Sequence, residues 1–167
     1  MKVRPLEPED LEVLYEIENE PGTWAVATPG GPYSHYALTR YIEQIGGDIF
    51  ASGQVRLMVL DDEDNSIGTL DLTNYSPTDR SAEIGIAVRA EYRGLGWGKS
   101  MIQWLEQYAV KELNLRMLYA RVAGSGNPAS QHLFGSLGYE KVATLPEWVF
   151  LEGEYVDIAV FRKLLRE

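Results

Sequence analysis

The reading turns on residues 83–100: Glu83-Ile84-Gly85-Ile86-Ala87-Val88-Arg89, then Ala90-Glu91-Tyr92, then Arg93-Gly94-Leu95-Gly96-Trp97-Gly98-Lys99-Ser100. The first seven residues predict a buried strand, and the last eight a glycine-rich loop that opens a helix. Glycines alternate at 94, 96 and 98, which leaves backbone N–H groups free of side-chain cover. Met101, Ile102, Leu105, Tyr108 and Ala109 then recur at helical spacing. A strand, a bare loop and a helix N-terminus together form an anion site, because unpaired N–H groups and the helix dipole converge there. The anion expected is a phosphate or pyrophosphate.

Two nucleotide motifs fail on this stretch. A phosphate-binding loop ending Gly98-Lys99-Ser100 needs glycine at position 93, where the chain has Arg93. A dinucleotide fingerprint starting at Gly94 needs glycine at position 99, where the chain has Lys99. What remains, Arg93-x-x-Gly96-x-Gly98, resembles the (Gln/Arg)-x-x-Gly-x-(Gly/Ala) loop of the GNAT superfamily of N-acetyltransferases. A second segment, Asn127-x-x-Ser130-x-x-Leu133-Phe134-x-x-x-Gly138-Tyr139, is similar to that superfamily's other cofactor segment. Read without the resemblance, Asn127 is a helix cap ahead of Pro128.

The resemblance implies acetyl-coenzyme A as cofactor. Its pyrophosphate would lie on Arg93, Gly94, Leu95, Gly96, Trp97, Gly98, Lys99 and Ser100. Its pantetheine arm would run along Ile86, Ala87 and Val88 of the strand and along Asn127, Ser130 and Phe134. The opening Val3-Arg4-Pro5-Leu6-Glu7-Pro8-Glu9-Asp10-Leu11, the run Arg80–Ile86 and the end Gly153-Glu154-Tyr155-Val156-Asp157 resemble ribosomal-protein-type and spermidine/spermine-type members. Two features depart from the polyamine enzymes. Their general-acid tyrosine falls at Phe134, which holds no proton to give. Their acidic loop is replaced by Trp24-Ala25-Val26-Ala27-Thr28-Pro29.

The chemistry implied is direct attack of a primary amine on the thioester. An alkylammonium has a pKa of about 10.4, so a proton must leave first. Glu83 is the expected base, through water, with a structural ion pair to Arg80 or Arg121 as the alternative. A backbone N–H at Ala87 or Val88 is the expected donor to the developing charge if the strand splays from its neighbour there, and Gly85 would permit a bulge that causes the splay. Trp24, Tyr33, Asp71 and Tyr75 are the expected acceptor-site residues. His35 is a secondary proton carrier, and His132 is expected to be a surface or satisfied histidine. A protein that keeps the coenzyme A site but senses or scaffolds instead of acetylating is the alternative function.

Composition narrows the field. The chain has 167 residues and 45% hydrophobic content, enough for one core. It contains no cysteine, which removes disulfides, thiolate metal ligands and an acyl-enzyme on sulfur. The net charge of −10 argues against broad nucleic-acid binding and suits a cationic acceptor, a small-molecule amine or a protein N-terminus. No apolar run has the length of a membrane span, and Met1–Pro5 leads into an acidic helix without the apolar core of a signal peptide. A cytoplasmic protein without metal is expected, with homo-oligomerisation left open. The acidic run Asp61–Asn65 lacks the spacing of a calcium loop and reads as a hairpin turn.

The remaining pattern predicts one α+β domain over residues 1–167, with a mixed, mostly antiparallel central sheet and helices on both faces. Val3–Leu6 is a first strand, Pro8 opens a helix that ends near Pro21-Gly22, and Ser34 caps a second helix. Strands over 55–60, 67–75 and 83–89 form a meander. A helix over 98–113 then crosses over to a parallel strand at 117–122. A helix over 128–137 follows, and then three strands at 139–142, 148–151 and 155–161.

Overall fold

The computed structural model describes residues 1–21, 32–45, 48–123, 127–151 and 153–166. Strand β1 (Lys2–Pro5) leads through a 3-10 turn at Pro8–Asp10 into helix α1 (Leu11–Asn19). Helices α2 (His35–Gln44) and α3 (Ile49–Ser52) precede the meander of β2 (Val55–Leu60), β3 (Ser66–Ser76) and β4 (Ser81–Val88). Helix α4 (Trp97–Lys111), β5 (Met117–Ala123) and α5 (Pro128–Ser136) come next, then the hairpin of β6 (Glu140–Leu151) and β7 (Glu154–Leu164). The strands form one seven-stranded sheet in the order β1-β2-β3-β4-β5-β7-β6. Every neighbouring pair is antiparallel except β4 and β5, which run parallel across the helical connection. The α+β class, the meander and the crossover are therefore as the sequence predicts.

Cross-strand partners share a face of the sheet, and the two faces bury different helices. Leu57, Leu70 and Ile84 point to the side of α4, where Met101, Ile102, Leu105 and Ala109 recur at helical spacing and are all buried. Phe134 of α5 joins the same cluster. Met58 and Leu60 point to the opposite side and pack on Leu14 of α1 and on Leu38, Ile42 and Ile45 of the α2 segment. Ser34 Oγ accepts from the Ala37 N–H at 3.1 Å and starts α2 at the expected cap. Each fully buried Leu or Ile contributes about 1.5–3 kcal/mol. The sheet is thus held from both sides and its strands are fixed in place.

Three local features differ from the sequence reading. The strands expected at 139–142 and 148–151 are one strand, β6, with a register shift between Leu145 and Val149. Pro146 interrupts the ladder, Glu147 takes φ +49°, and the Glu147 N–H turns to Asp157 Oδ1 at 2.9 Å. An edge strand tolerates such a break because its outer side needs no partner. Gly85 is not at a bulge: the β3–β4 register is unbroken from Gly68–Val88 to Thr73–Glu83. A Cβ at Gly85 would lie 3.0 Å from the Asp71 side chain, so its bareness makes room for Asp71. The irregularity sits between Thr73 and Ser76, at Asn74 with φ +49°. Last, the short α3 was not anticipated; Asp48 Oδ1 caps it through the Phe50 N–H at 2.9 Å. Among the described residues no helix is long and apolar enough to cross a membrane.

Candidate active site

β4 and β5 pair only from Ser81–Met117 to Glu83–Tyr119. Beyond that rung β4 continues beside β3 to Val88, and β5 continues beside β7 to Ala123. A wedge-shaped gap opens between them, and burial falls just beyond that point, from Gly85 onward along β4. Two hydrogen bonds fix which way β4 faces. The Arg89 N–H donates to Ile67 O on the β3 side, and the Met117 N–H of β5 donates to Arg80 O. By alternation, odd residues of β4 address β3, while Ile84, Ile86 and Val88 address the gap. Of the two donors expected from sequence, the Val88 N–H faces the gap and the Ala87 N–H faces β3. The Val88 carbonyl accepts from Arg93 Nε at 2.8 Å.

The glycine loop closes the wide end of the gap. Gly94 and Gly96 take φ +74° and +86°, conformations that favour glycine, and the space where a Cβ would stand is open at both. Gly96 is the N-cap of α4 and brings no side chain to it. The first helical bond is Ser100 N–H to Gly96 O at 3.3 Å, so the N–H groups of Trp97, Gly98 and Lys99 have no acceptor within the helix. Gly98 is bare for a packing reason, since a Cβ there would sit 3.2 Å from Leu133 of α5. Leu95, Lys99 and Ser100 are exposed, and Trp97 leans on the core. Bare donors, a positive helix end and an unfilled cradle fit a pyrophosphate. The loop is tied to α1, since Arg93 Nη1 donates to Glu20 Oε1 at 2.9 Å and Arg89 Nη2 to Glu16 Oε2 at 2.9 Å.

At the start of α5, Asn127 Oδ1 accepts from the Ser130 N–H at 3.0 Å, so Asn127 is a cap as its local sequence suggests. Phe134 is 3% exposed and packs edge-on against Tyr139, with ring centroids 5.2 Å apart.

The narrow end of the gap carries charge on the α1–α2 face. Glu83, 9% exposed, accepts from Arg121 Nε at 2.7 Å and from Asn74 Nδ2 at 2.8 Å. Of the two alternative ion-pair partners, Arg121 is the one engaged; Arg80 Nε donates instead to Asn114 O. Burial, with the Glu83 charge adding to it, raises the Tyr119 phenol. Along the same face Asp71 pairs with Arg56, whose Nη2 donates at 3.1 Å, and Arg56 also reaches Glu18. The Arg56 cation lies 5.2 Å from the centre of the Tyr41 ring, and burial pushes the Tyr41 phenol up to about 12 despite that cation.

The other expected acceptor residues are scattered. Tyr33 exchanges two backbone hydrogen bonds with the Asn19 amide beside α1. Tyr75 packs on Phe50 and the α4-side cluster, because the irregularity at Asn74 turns it away from Asp71. Trp24 lies outside the described residues. His35 stacks on Tyr15 with centroids 3.9 Å apart and meets Glu12, and His132 is exposed. Sequence reasoning missed Arg56, Glu18, Tyr41 and Asn74. The signal for Arg56 was its position opposite Asp71 across the 55–72 hairpin. Among the described residues no cluster of His, Asp and Glu is fit to hold a metal.

A parallel pair that parts midway, with a glycine loop at its open end, defines an acyl-carrier site. Residues 1–140 match the family model described as an acetyltransferase (GNAT) domain, and the chain belongs to that family. It is an acetyl-CoA-dependent N-acetyltransferase that acts on amines. The Vibrio cholerae spermidine N(1)-acetyltransferase is 28% identical over 95% of this chain and 89% of its own length. The Escherichia coli spermidine N(1)-acetyltransferase is 26% identical over 93% and 81%. A crystal structure of the Vibrio cholerae spermidine N-acetyltransferase with CoA and spermine superimposes with a TM-score of 0.90, at 27% identity, over 98% of this chain and 95% of that one.

Proposed function

We propose that the acetyl group passes directly to a primary amine within a ternary complex. The cofactor would lie in the β4–β5 gap, and the amine would arrive from the α1–α2 face at Glu83. The gap carries this reading: the free N–H groups of Ile86 and Val88 line its β4 edge, and the Glu83 carboxylate stands where that edge begins, at the narrow end. The absence of cysteine from the chain also favours direct transfer over an acyl-enzyme on sulfur.

Acetyl-CoA supplies an activated thioester there. The backbone of Arg93–Ser100 holds the pyrophosphate, Asn127 and Ser130 flank the pantetheine arm, and Phe134 backs the wall without donating a proton. The Val88 N–H stabilises negative charge growing on the acetyl oxygen. Each Glu83 oxygen already accepts one bond and has a second lone pair, so the carboxylate can orient a water that takes the ammonium proton. A thiol of pKa about 8.5 leaves as thiolate without strong acid help, which suits a site with phenylalanine at position 134.

The decisive experiment follows free-thiol release from acetyl-CoA over a panel of polyamines, amino acids, aminoglycosides and peptide N-termini. Acetylated product with one thiol per acetyl group is the expected result. Tight coenzyme A binding without thiol release on any amine would instead support a sensing role. Self-association belongs to the same proposal: Trp148, Phe150 and Tyr155 are more than half exposed on the β6–β7 hairpin, and light scattering tests it.

A further inference from the structure

The α1–α2 face of the gap is rich in carboxylates, yet those that line it are already paired. Asp71 and Glu18 both meet Arg56, whose side chain is 18% exposed. Glu83 gives one oxygen to Arg121 and the other to Asn74. Residues 21–34, which join α1 to α2, contain no charged side chain. A second ammonium group on an acceptor therefore gains no unpaired carboxylate from these residues.

Arg121 is the group left over. It lies on β5 two residues past Tyr119, the last rung with β4, and alternation places it on the same face as Glu83. Only its Nε is engaged, so the two terminal nitrogens have no partner among the described residues, and the side chain is 47% exposed. The bond at Nε ties the guanidinium to Glu83 and leaves both terminal nitrogens, its outer N–H fork, open to a ligand. A planar, permanently charged fork held in place matches the two oxygens of a carboxylate.

We infer that Arg121 reads a carboxylate on the acceptor, so that this enzyme acetylates amines of the amino-acid type in preference to polycations. The inference rests on amine acetylation at this gap and names its acceptor class. The bonds balance as in any such transfer. An N–C bond forms and the C–S bond breaks; the ammonium proton passes through water to solvent before attack, and the second N–H proton, lost as the amide forms, goes to the departing thiolate. Arg121 acts on the part of the acceptor that does not react.

Matched pairs of acceptors test it: lysine with cadaverine, phenylalanine with phenethylamine, and spermidine as the polycation. For the pair that fits the pocket, the carboxylate member should show kcat/KM about 10–100-fold above its decarboxylated partner, the usual effect of a charge-assisted hydrogen-bonded pair. Arg121→Gln should bring that ratio close to one, and Arg121→Lys should keep part of it. The ratio cancels any general loss from disturbing Glu83, and the affinity for acetyl-CoA should not change. A wild-type preference for the decarboxylated amines or spermidine would overturn the inference, as would an unchanged ratio in Arg121→Gln. No thiol release with any compound would refute acetyl transfer itself, and the acceptor assignment with it.

Discussion

Replacing Glu83 by glutamine separates the two jobs its position allows. The amide keeps the size and one accepting oxygen for Arg121 Nε, now 2.7 Å away, but loses charge and basicity. Its NH2 group would face the Asn74 amide, which can turn to present its oxygen. The structural loss is then one charge-assisted contact to a half-exposed arginine, about 1–2 kcal/mol after solvent screening. For a chain of this size that lowers Tm by roughly 2–8 °C. If Glu83 also directs proton removal, kcat/KM at neutral pH should fall by about 10²–10⁴-fold. That loss should shrink as pH rises toward the acceptor's pKa of about 10.4, because free amine then forms in solution. Coenzyme A affinity by calorimetry should be unaltered. A pH–rate profile and a melting curve on the same variant decide the matter. A rate within about threefold of wild type alongside a lowered Tm would refute the catalytic part and leave Glu83 as the anchor of Arg121.

Gly96→Val places a branched side chain at φ +86° in the cradle at the start of α4; coenzyme A affinity should fall at least about 10-fold with the fold intact by circular dichroism, and unchanged affinity would dismiss the loop as the pyrophosphate site. Phe134→Tyr should leave turnover equal or higher while a buried hydroxyl lowers Tm by a few degrees; severe loss of activity at normal Tm would mean the wall must be apolar. Asp10 is pushed up by burial, but the Arg4 hydrogen bonds and the Glu7 N–H outweigh this and hold it below its ordinary value of 3.8. Its contribution is complete above that value and disappears as pH falls through the lower folded one. Asp10→Asn should therefore lower Tm at pH 7, and the gap to wild type should close in acid.

The central strand, its glycine loop and the crossover were legible because their signals are local: a buried run, alternating glycines and helical spacing, each within a short window. The cap at Ser34 was legible for the same reason. What escaped depended on register. Tyr75 looks like a partner for Asp71 four residues away, but one irregularity at Asn74 sends it to the other face. Gly85 suggests a bulge, yet it is bare because Asp71 crosses over it. Pro146-Glu147 reads as a break between strands, although an edge strand carries it as a bulge. Arg56, Glu18 and Tyr41 come from three elements and meet only when the sheet packs on α1 and α2. No window of sequence holds them together.

The same register explains why the gap stays open. β4 is pinned to β3 over six consecutive residue pairs, and β5 to β7 over seven, so each strand's other edge is free once twist carries them apart beyond Glu83. Gly68 tightens the first of these contacts, since a Cβ there would lie 2.0 Å from Ala87 O. β4 therefore cannot drift toward β5 without breaking its closest contact to β3. Arg93 takes the Val88 carbonyl from one side, which leaves the N–H groups of Ile86 and Val88 addressed to the gap. Two free strand edges facing each other favour an extended chain that carries amides of its own. Glu83 belongs to the last rung before the strands part, with its side chain perpendicular to that gap. On the proposed reading, a ligand threaded in the plane of the sheet and an amine arriving from the α1–α2 face would meet at this residue, and the parting of β4 from β5 would determine where.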